Sequence, residues 1–409
     1  MKILVMNAGS SSQKSCLYEI TGDRLPDHPP NPMWEAQIDW THQQGVAELK
    51  VQGADGAVLK EELPFEARPP VIDRLLSTLW SGSTQVIAEP SEIQVVGHRV
   101  VHGGRTYHES TWITPEVKQT IADLAPLAPN HNPAHIEGIE AVEQTLGTVP
   151  QVAVFDTAFH AQMPDAAAIY PGPYAWVEQG IYRYGFHGTS HRYCAERTAE
   201  ILGRDLQDLR IVTCHLGNGC SLAAIQNGRS IDTTMGFTPL DGLMMGSRSG
   251  SVDPSILIYL LRQGGDDADK LDHLLNQESG LLGISGVSSD LRLVIDAIAD
   301  GNDRAQLAFD IYIHRLRSCL GSMIASLQGL DALVFTAGVG ENAPSIRSAA
   351  CEAFAFLGLK LDAEKNARSP RDQVISTADS TVQVLVIHTQ EDWAIARDCW
   401  TLLQQRTQP

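Results

Sequence analysis

One local pattern occurs twice in this chain, and it limits the possible folds more than any other feature. A strand, a tight polar glycine turn and a returning strand run through Leu4–Tyr18 and again through Val212–Ile225. The first turn reads Asn7-Ala8-Gly9-Ser10-Ser11-Ser12, and the second runs through His215-Leu216-Gly217-Asn218-Gly219. The two copies share little identity, so the repeat lies in the architecture and not in the residues. It suggests two similar domains, each offering a hairpin tip to a shared cleft. The length of 409 residues points the same way, because single cores stop growing near 250–300 residues.

Periodicity predicts further strands at 93–101, 151–155, 332–336 and 382–387. Helices are predicted over 71–80, 114–125, 133–146, 190–202 and 391–404, with 253–330 mostly helical. Asn132-Pro133 gives one helix a proline in its first turn. Asn227-Gly228 is a strong hairpin signal. Residues 21–70 are Pro-rich and read as irregular, with short strands near 35–39 and 46–51.

A net charge of -19 disfavours nucleic acid and anionic membranes as partners. It does not exclude a small anionic substrate, because a pocket can be locally basic. The seven cysteines form no C-x-x-C motif, which argues against a disulfide framework and for a reducing cytoplasm. The apolar run after Lys2 ends at Asn7, too short for a signal peptide, and no stretch is long enough to span a membrane.

Asn7, Ser12 and Lys14 place small donors and a cation at the first turn, where backbone N–H groups can cradle an anion. A solvated hairpin would look the same. Thr336-Ala337-Gly338-Val339-Gly340-Glu341-Asn342 sits between a strand and a helix and aims a helix amino terminus at a ligand. It is neither a Walker A loop nor a Rossmann fingerprint. Three glycine turns at strand ends, in both halves, favour a nucleotide. Arg99 and Arg248 lie beside glycines and offer planar forks for carboxylate or phosphate oxygens. Asp156 and Glu391 end strands, where carboxylates can hold Mg²⁺; an acidic helix cap is the alternative near 391. His98/His102, His131/His135 and His187/His191 have zinc-like spacing, but no H-E-x-x-H occurs and His98 falls on a predicted strand. His187 is the candidate catalytic donor.

Together these pieces resemble the acetate kinase family, within the acetate and sugar kinase, Hsp70 and actin superfamily. I-L-V-M-N-A-G-S-S-S-Q-K, G-H-R-V-V-H-G-G, H-N-P-A-H, V-F-D-T-A-F-H, Y-G-F-H-G-T-S-H, H-L-G-N-G, M-G-S-R-S-G and F-T-A-G-V-G-E-N follow in the family's order. The resemblance implies an α/β, two-domain, actin-like (ribonuclease H-like) fold of duplicated βββαβαβα units with an interdomain active-site cleft. Its domains would be 1–155, completed by the helix 393–409, and a nucleotide-binding domain 156–392. It implies a homodimer, ATP as co-substrate, and Mg²⁺, for which Mn²⁺ can substitute. Asn7 would contact the transferring phosphate and, with Glu391, the metal. Asp156 would serve the metal or position the reactants. Arg99 and Arg248 would clamp carboxylate and phosphoryl oxygens, with His131 and His187 assisting. Val101, Phe186 and Pro239 would line the acyl site with Arg99. Ser12, Lys14, His215, Leu216, Gly217, Asn218, Gly219, Asp290, Leu291, Arg292, Gly338, Val339, Gly340, Glu341 and Asn342 would hold ATP. Ser251 stands where the family usually has Asp, T-Q-E-D replaces T-N-E-E, and Asn130 replaces an apolar residue before His131.

A carboxylate nucleophile is already ionised at neutral pH, so this chemistry needs no general base. The task is electrostatic: two anions must meet, and charge on the transferring group must be stabilised. Three rival readings stay open. Propionate kinase has the same fold and chemistry. An actin-type nucleotide-binding protein would lack the arginine-lined acyl site. Hydrolysis of acyl phosphate would need a route for water that no residue specifically suggests.

Overall fold

The computed structural model describes residues 1–9, 12–43, 45–129, 131–265, 267–368 and 371–407, without the side chains of 41–43 and 407. Ser10 and Ser11 of the first turn, and Asn130, lie outside the described residues. The chain forms two compact units, one of Met1–Ala158 with Gln390–Pro409, the other of Phe159–Thr389. Asp156 and Glu391, expected with the second domain, therefore belong to the first unit.

The first unit is built on a sheet of β1 (Lys2–Ala8), β2 (Ser12–Glu19), β3 (Trp34–Gln43), β4 (Val46–Gly53), β5 (Val58–Pro64), β6 (Val95–Val100), β7 (Thr111–Trp112) and β8 (Gln151–Phe155). Their order is β5-β4-β3-β2-β1-β6-β8-β7. β1 is antiparallel to β2 and β2 to β3, whereas β1, β6 and β8 run parallel. The central strands read as apolar runs because both their faces are covered. Residues 21–70, expected to be irregular apart from short strands near 35–39 and 46–51, hold three strands, of which β3 and β4 extend those two and β5 is new. Alternation explains the difference: Glu35 and Gln37 are exposed while Trp34, Ala36 and Ile38 are buried. One face of the sheet buries Leu4, Leu17, Trp34, Ile38 and Leu49 beneath Ile72 and Leu75. Those last two lie on the helix Arg68–Ser77, which starts earlier than expected because Pro69 and Pro70 occupy its first turn.

The second unit has β9 (Arg210–Leu216), β10 (Cys220–Gln226), β11 (Arg229–Thr233), β12 (Ala332–Thr336), β13 (Gln373–Val374) and β14 (Gln383–Val386), in the order β11-β10-β9-β12-β14-β13. Again two antiparallel pairings lead to β9, and β9, β12 and β14 are parallel. The core β3-β2-β1-β6-β8 is thus repeated as β11-β10-β9-β12-β14, the duplicated actin-like arrangement. In each unit some predicted residues follow the carboxyl ends of parallel strands, where open α/β sheets bind ligands: Asp156 after β8, Gly217–Gly219 after β9 and Gly338–Asn342 after β12.

The helix Glu391–Thr407 closes the first unit by packing on β1 and β6. Gly97 makes this approach possible. A Cβ there would sit 2.6 Å from both Cys399 Sγ and Ile395 Cγ2. Trp393 adds an edge-on contact with Tyr18, ring centroids 5.5 Å apart. Gly97→Ala is expected to destabilise the protein by about 1–3 kcal/mol through overpacking, read as a lower urea midpoint. An unchanged midpoint would contradict this packing.

Candidate active site

In the first unit, parallel pairing of β6 and β8 brings Arg99 beside Asp156. The guanidinium Nε and Nη2 donate to Asp156 Oδ1 and Oδ2 at 3.1 and 2.6 Å, and Nη1 donates to the Ala8 carbonyl at 3.1 Å. Asp156 is 2% exposed, and its N–H donates to the Val100 carbonyl at 2.9 Å. Burial works against the arginine's charge, but Asp156, with Glu391 and Asp392 behind it, outweighs burial and raises its pKa. These bonds use three of the five guanidinium donors, which leaves two for an anion.

Asn7, on β1 opposite Lys14, donates from Nδ2 to Asp392 Oδ1 at 2.7 Å. Burial raises the pKa of Glu391; Arg99 opposes that shift and Asp156 reinforces it. Burial also raises Asp392, opposed by the Asn7 amide and reinforced by Glu391. Asp156, Glu391 and Asp392 thus outnumber the cations that act on them, Arg99 and Lys14. Among the described residues, no group of three or more His, Cys, Asp or Glu is arranged to hold a metal by itself. Mg²⁺ does not need one, since one or two carboxylates, waters and phosphate oxygens suffice. The hard oxygen donors and the surplus negative charge fit that ion.

His131 precedes the helix Asn132–Leu146, its ring 6.5 Å from that of His135. Burial pushes His135 well below its ordinary pKa, with Arg99 and His131 adding to the shift. Burial likewise lowers His98 and His102 to about 4, and His98 Nε2 bonds Gln151 Oε1 at 2.6 Å. These neutral imidazoles add no positive charge beside Arg99. Val101 is buried next to them.

In the second unit, His187 takes a left-handed backbone (φ 56°) and begins the helix Gly188–Leu202. Such a conformation is strained for a residue with a Cβ and marks functional positions. His187 Nδ1 bonds Ser221 Oγ at 2.8 Å, and that hydroxyl also meets His191 Nε2 at 2.7 Å. His191 Nδ1 meets Thr213 Oγ1 at 2.7 Å. The zinc-like spacing of His187 and His191 therefore serves a shared hydroxyl. His187 stacks on His215 with centroids 4.1 Å apart, and His215 Nδ1 bonds Ser190 Oγ at 2.8 Å. His187 Nε2 and Arg248 Nη1 both approach Gly219, at 3.6 and 3.5 Å from where its Cβ would be. Arg248 Nη1 also donates to the Pro239 carbonyl at 3.3 Å. Phe186 is buried, and its carbonyl bonds His160 Nε2 at 3.0 Å.

The glycine-rich segments of this unit come together. Gly217 faces Ala337, with 3.8 Å between the Cβ it lacks and that of Ala337. Ala337 is a second left-handed non-glycine residue, φ 64°, just before Gly338-Val339-Gly340. Asn342 Nδ2 donates to the Gly338 carbonyl at 2.9 Å, and Glu341 Oε2 meets His388 Nδ1 at 2.7 Å. Gly246 abuts both Asn218 Oδ1 and the Ser289 carbonyl, which sets the Asp290-Leu291-Arg292 segment beside the β9 turn. Asp290 caps the next helix and holds the exposed Arg292, Nη2 to Oδ2 at 2.5 Å.

Sequence reasoning missed four contributors: Asp392, Ser221, His191 as a support for His187, and the buried Arg347. Arg347 donates to the Gly340 and Glu341 carbonyls at 2.8 Å each, fixing the end of the short helix Ala337–Asn342. Asp392 and His191 were visible in T-Q-E-D and Y-G-F-H-G-T-S-H. Nothing local singles out Arg347 or Ser221, because their partners are distant in sequence.

Comparison with known proteins adds the following. The model of the acetokinase family matches residues 2–397. Acetate kinase of Trichormus variabilis is 67% identical over 405 residues, covering 99% of this chain and 100% of the relative. The crystal structure of Porphyromonas gingivalis acetate kinase superposes with a TM-score of 0.89 at 42% identity, over 98% of this chain and 99% of that one. A propionate kinase from Francisella tularensis superposes with a TM-score of 0.87 at 38% identity, over 97% and 98%.

The raised carboxylates give a pH signature. Glu391 and Asp392 hold protons more tightly folded than unfolded, so stability falls as pH climbs from about 4 to their raised values, then levels. The double variant Glu391→Gln/Asp392→Asn is expected to be more stable than the parent at neutral pH without metal, and that advantage should shrink toward pH ~4. Urea unfolding in chelator measures it. A parent at least as stable at neutral pH contradicts the charge surplus.

Proposed function

The chain belongs to the acetokinase family, and from that premise we infer that it phosphorylates acetate from ATP, reversibly, to give acetyl phosphate and ADP. The observation that carries this reading is the approach of Arg248 and His187 to the bare backbone of Gly219. Two side-chain donors with no Cβ between them suit the oxygens of a transferring phosphoryl group.

The acetate oxygen is the nucleophile and arrives ionised, so direct in-line transfer needs no side chain to take a proton. Asp156 accordingly serves as a support: it fixes the Arg99 fork, whose remaining donors meet carboxylate or phosphoryl oxygens. Arg248 and His187, with His131, offset charge on the equatorial oxygens. Asn7 and Glu391, with Asp156, would hold Mg²⁺ or Mn²⁺, which when bound neutralises phosphate charge. Asn7, Ser12 and Lys14, the 215–219 turn, the 290–292 segment and Gly338–Asn342 hold ATP. Val101, Phe186 and Pro239 give the acyl group an apolar wall.

Acetate is favoured over propionate by the higher identity to acetate kinases. None of the seven cysteines is in a disulfide, in keeping with a reducing cytoplasm. Among the described residues, no helix is long and apolar enough to cross a membrane.

A homodimer has a face in the helix Pro254–Gln263, which buries none of its residues. Ile256, Ile258, Tyr259 and Leu261 are exposed there, with Leu257 and Leu260 half-buried, so one helix presents a broad apolar surface. Arg262 is the helix's sole charge, so the acidic surface of this chain is interrupted here.

In a hydroxamate assay with C2 to C4 carboxylates, the highest kcat/KM is expected for acetate; one methylene is worth about 10–200-fold. No product with any of them would contradict the activity. Arg99→Ala or Arg248→Ala is expected to lose on the order of 10³-fold in kcat, and a loss under tenfold would contradict the clamp. Tyr259→Glu with Ile256→Asp is expected to halve the mass measured by light scattering. An unchanged dimeric mass rules out this face.

A further inference from the structure

The loop that carries Arg248 is shut by Ser251, a residue the site described above does not use. Ser251 Oγ donates to Asp241 Oδ1 at 2.5 Å and accepts from the Gly242 N–H at 2.9 Å. The Ser251 N–H donates to the Gly242 carbonyl at 3.0 Å. Gly250 permits this closure with φ +70°: a Cβ there would lie 2.3 Å from the Leu243 carbonyl oxygen and 2.6 Å from that of Gly242. Asp241 is held from behind by Arg183, Nη1 to Oδ2 at 3.3 Å, and the same nitrogen reaches the Thr233 and Thr234 carbonyls at 3.1 Å each. The Ser251 carbonyl accepts from Arg315 Nη2 at 3.0 Å, which ties the loop to the long helix Asp303–Leu327. Within the loop, the Met245 N–H donates to the Arg248 carbonyl at 3.1 Å.

The same short segment that contains Asp241 also contains Pro239, whose carbonyl accepts from Arg248 Nη1. Joining Ser251 to Asp241 therefore fixes both the backbone of Arg248 and the carbonyl that aims its guanidinium. We propose that Ser251 is a positioning residue for Arg248, its hydroxyl holding residues 239–242 against residues 248–251. An aspartate here would set a second carboxylate against Asp241, whereas serine supplies a donor to it. This rests on the reading of Arg248 as a group that stabilises the transferring phosphoryl.

The test compares the full chain with Ser251→Ala, Ser251→Thr and Arg248→Ala by kcat, by KM for ATP and for acetate, and by melting temperature. Ser251→Ala is expected to lose about tenfold in kcat through misplacement of Arg248, with KM for ATP little changed. Ser251→Thr, which keeps the hydroxyl, is expected to recover most of that loss. A Ser251→Ala kcat within about twofold of the parent overturns the proposal, with or without a lower melting temperature, as does a threonine variant no better than alanine. If Arg248→Ala is inactive while Ser251→Ala is unaffected, only the positioning role falls. If Arg248→Ala matches the parent, the reading of the site falls with it.

Discussion

A partly buried guanidinium facing a buried carboxylate anchors the chemistry of the first unit. Charges of this kind cost several kcal/mol each to remove from water, and removing one partner of such a pair costs about 3–5 kcal/mol. Arg99 and Asp156 are kept together because β6 and β8 lie side by side and end together. The Ala8 carbonyl, at the end of β1, fixes the third edge of the fork. Three parallel strands thus converge on one cation. The C-terminal helix adds Glu391 and Asp392 to the same place, and it can do so because Gly97 lets Ile395 and Cys399 pack against β6. The result is more negative charge than positive, an arrangement that stores an affinity for cations.

The second unit repeats the sheet but not the chemistry. Its β9 turn occupies the place of the β1 turn, and its parallel strands end in glycine-rich backbone where the first unit has carboxylates. Positive and neutral donors gather there: Arg248, His187 and His215 around Gly219, with His191 and Ser221 behind. One duplicated scaffold therefore carries surplus carboxylates in one copy and positive and neutral donors in the other.

Much of this was legible in the residues. The hairpin turns, the arginines flanked by glycine and the strand at 332–336 could be placed because glycine and apolar runs are strong local signals. In the region 21–70 the strands near 35–39 and 46–51 were legible, but their full length and β5 were not, since these strands alternate at the edge of a sheet and the prolines obscured the pattern. Residues that act through distant partners were hidden as well. Asp392 is 385 residues from Asn7 yet bonds to it, and Arg347 shows its role only through carbonyls and an asparagine that the fold brings near. The i,i+4 histidines show the limit of spacing arguments. His187 and His191 share a hydroxyl, and His98 is a buried neutral ring on a strand.

The proposed function assigns Arg99 and Arg248 to one phosphoryl transfer. A double-variant cycle on Arg99 and Arg248 addresses this most directly, with kcat for acetyl phosphate formation as the readout. Groups that act as one unit are strongly non-additive. The Arg99→Ala/Arg248→Ala enzyme should therefore be little slower than the slower single variant. Losses that multiply in full would mean that the two arginines act on separate events, and the account would fail.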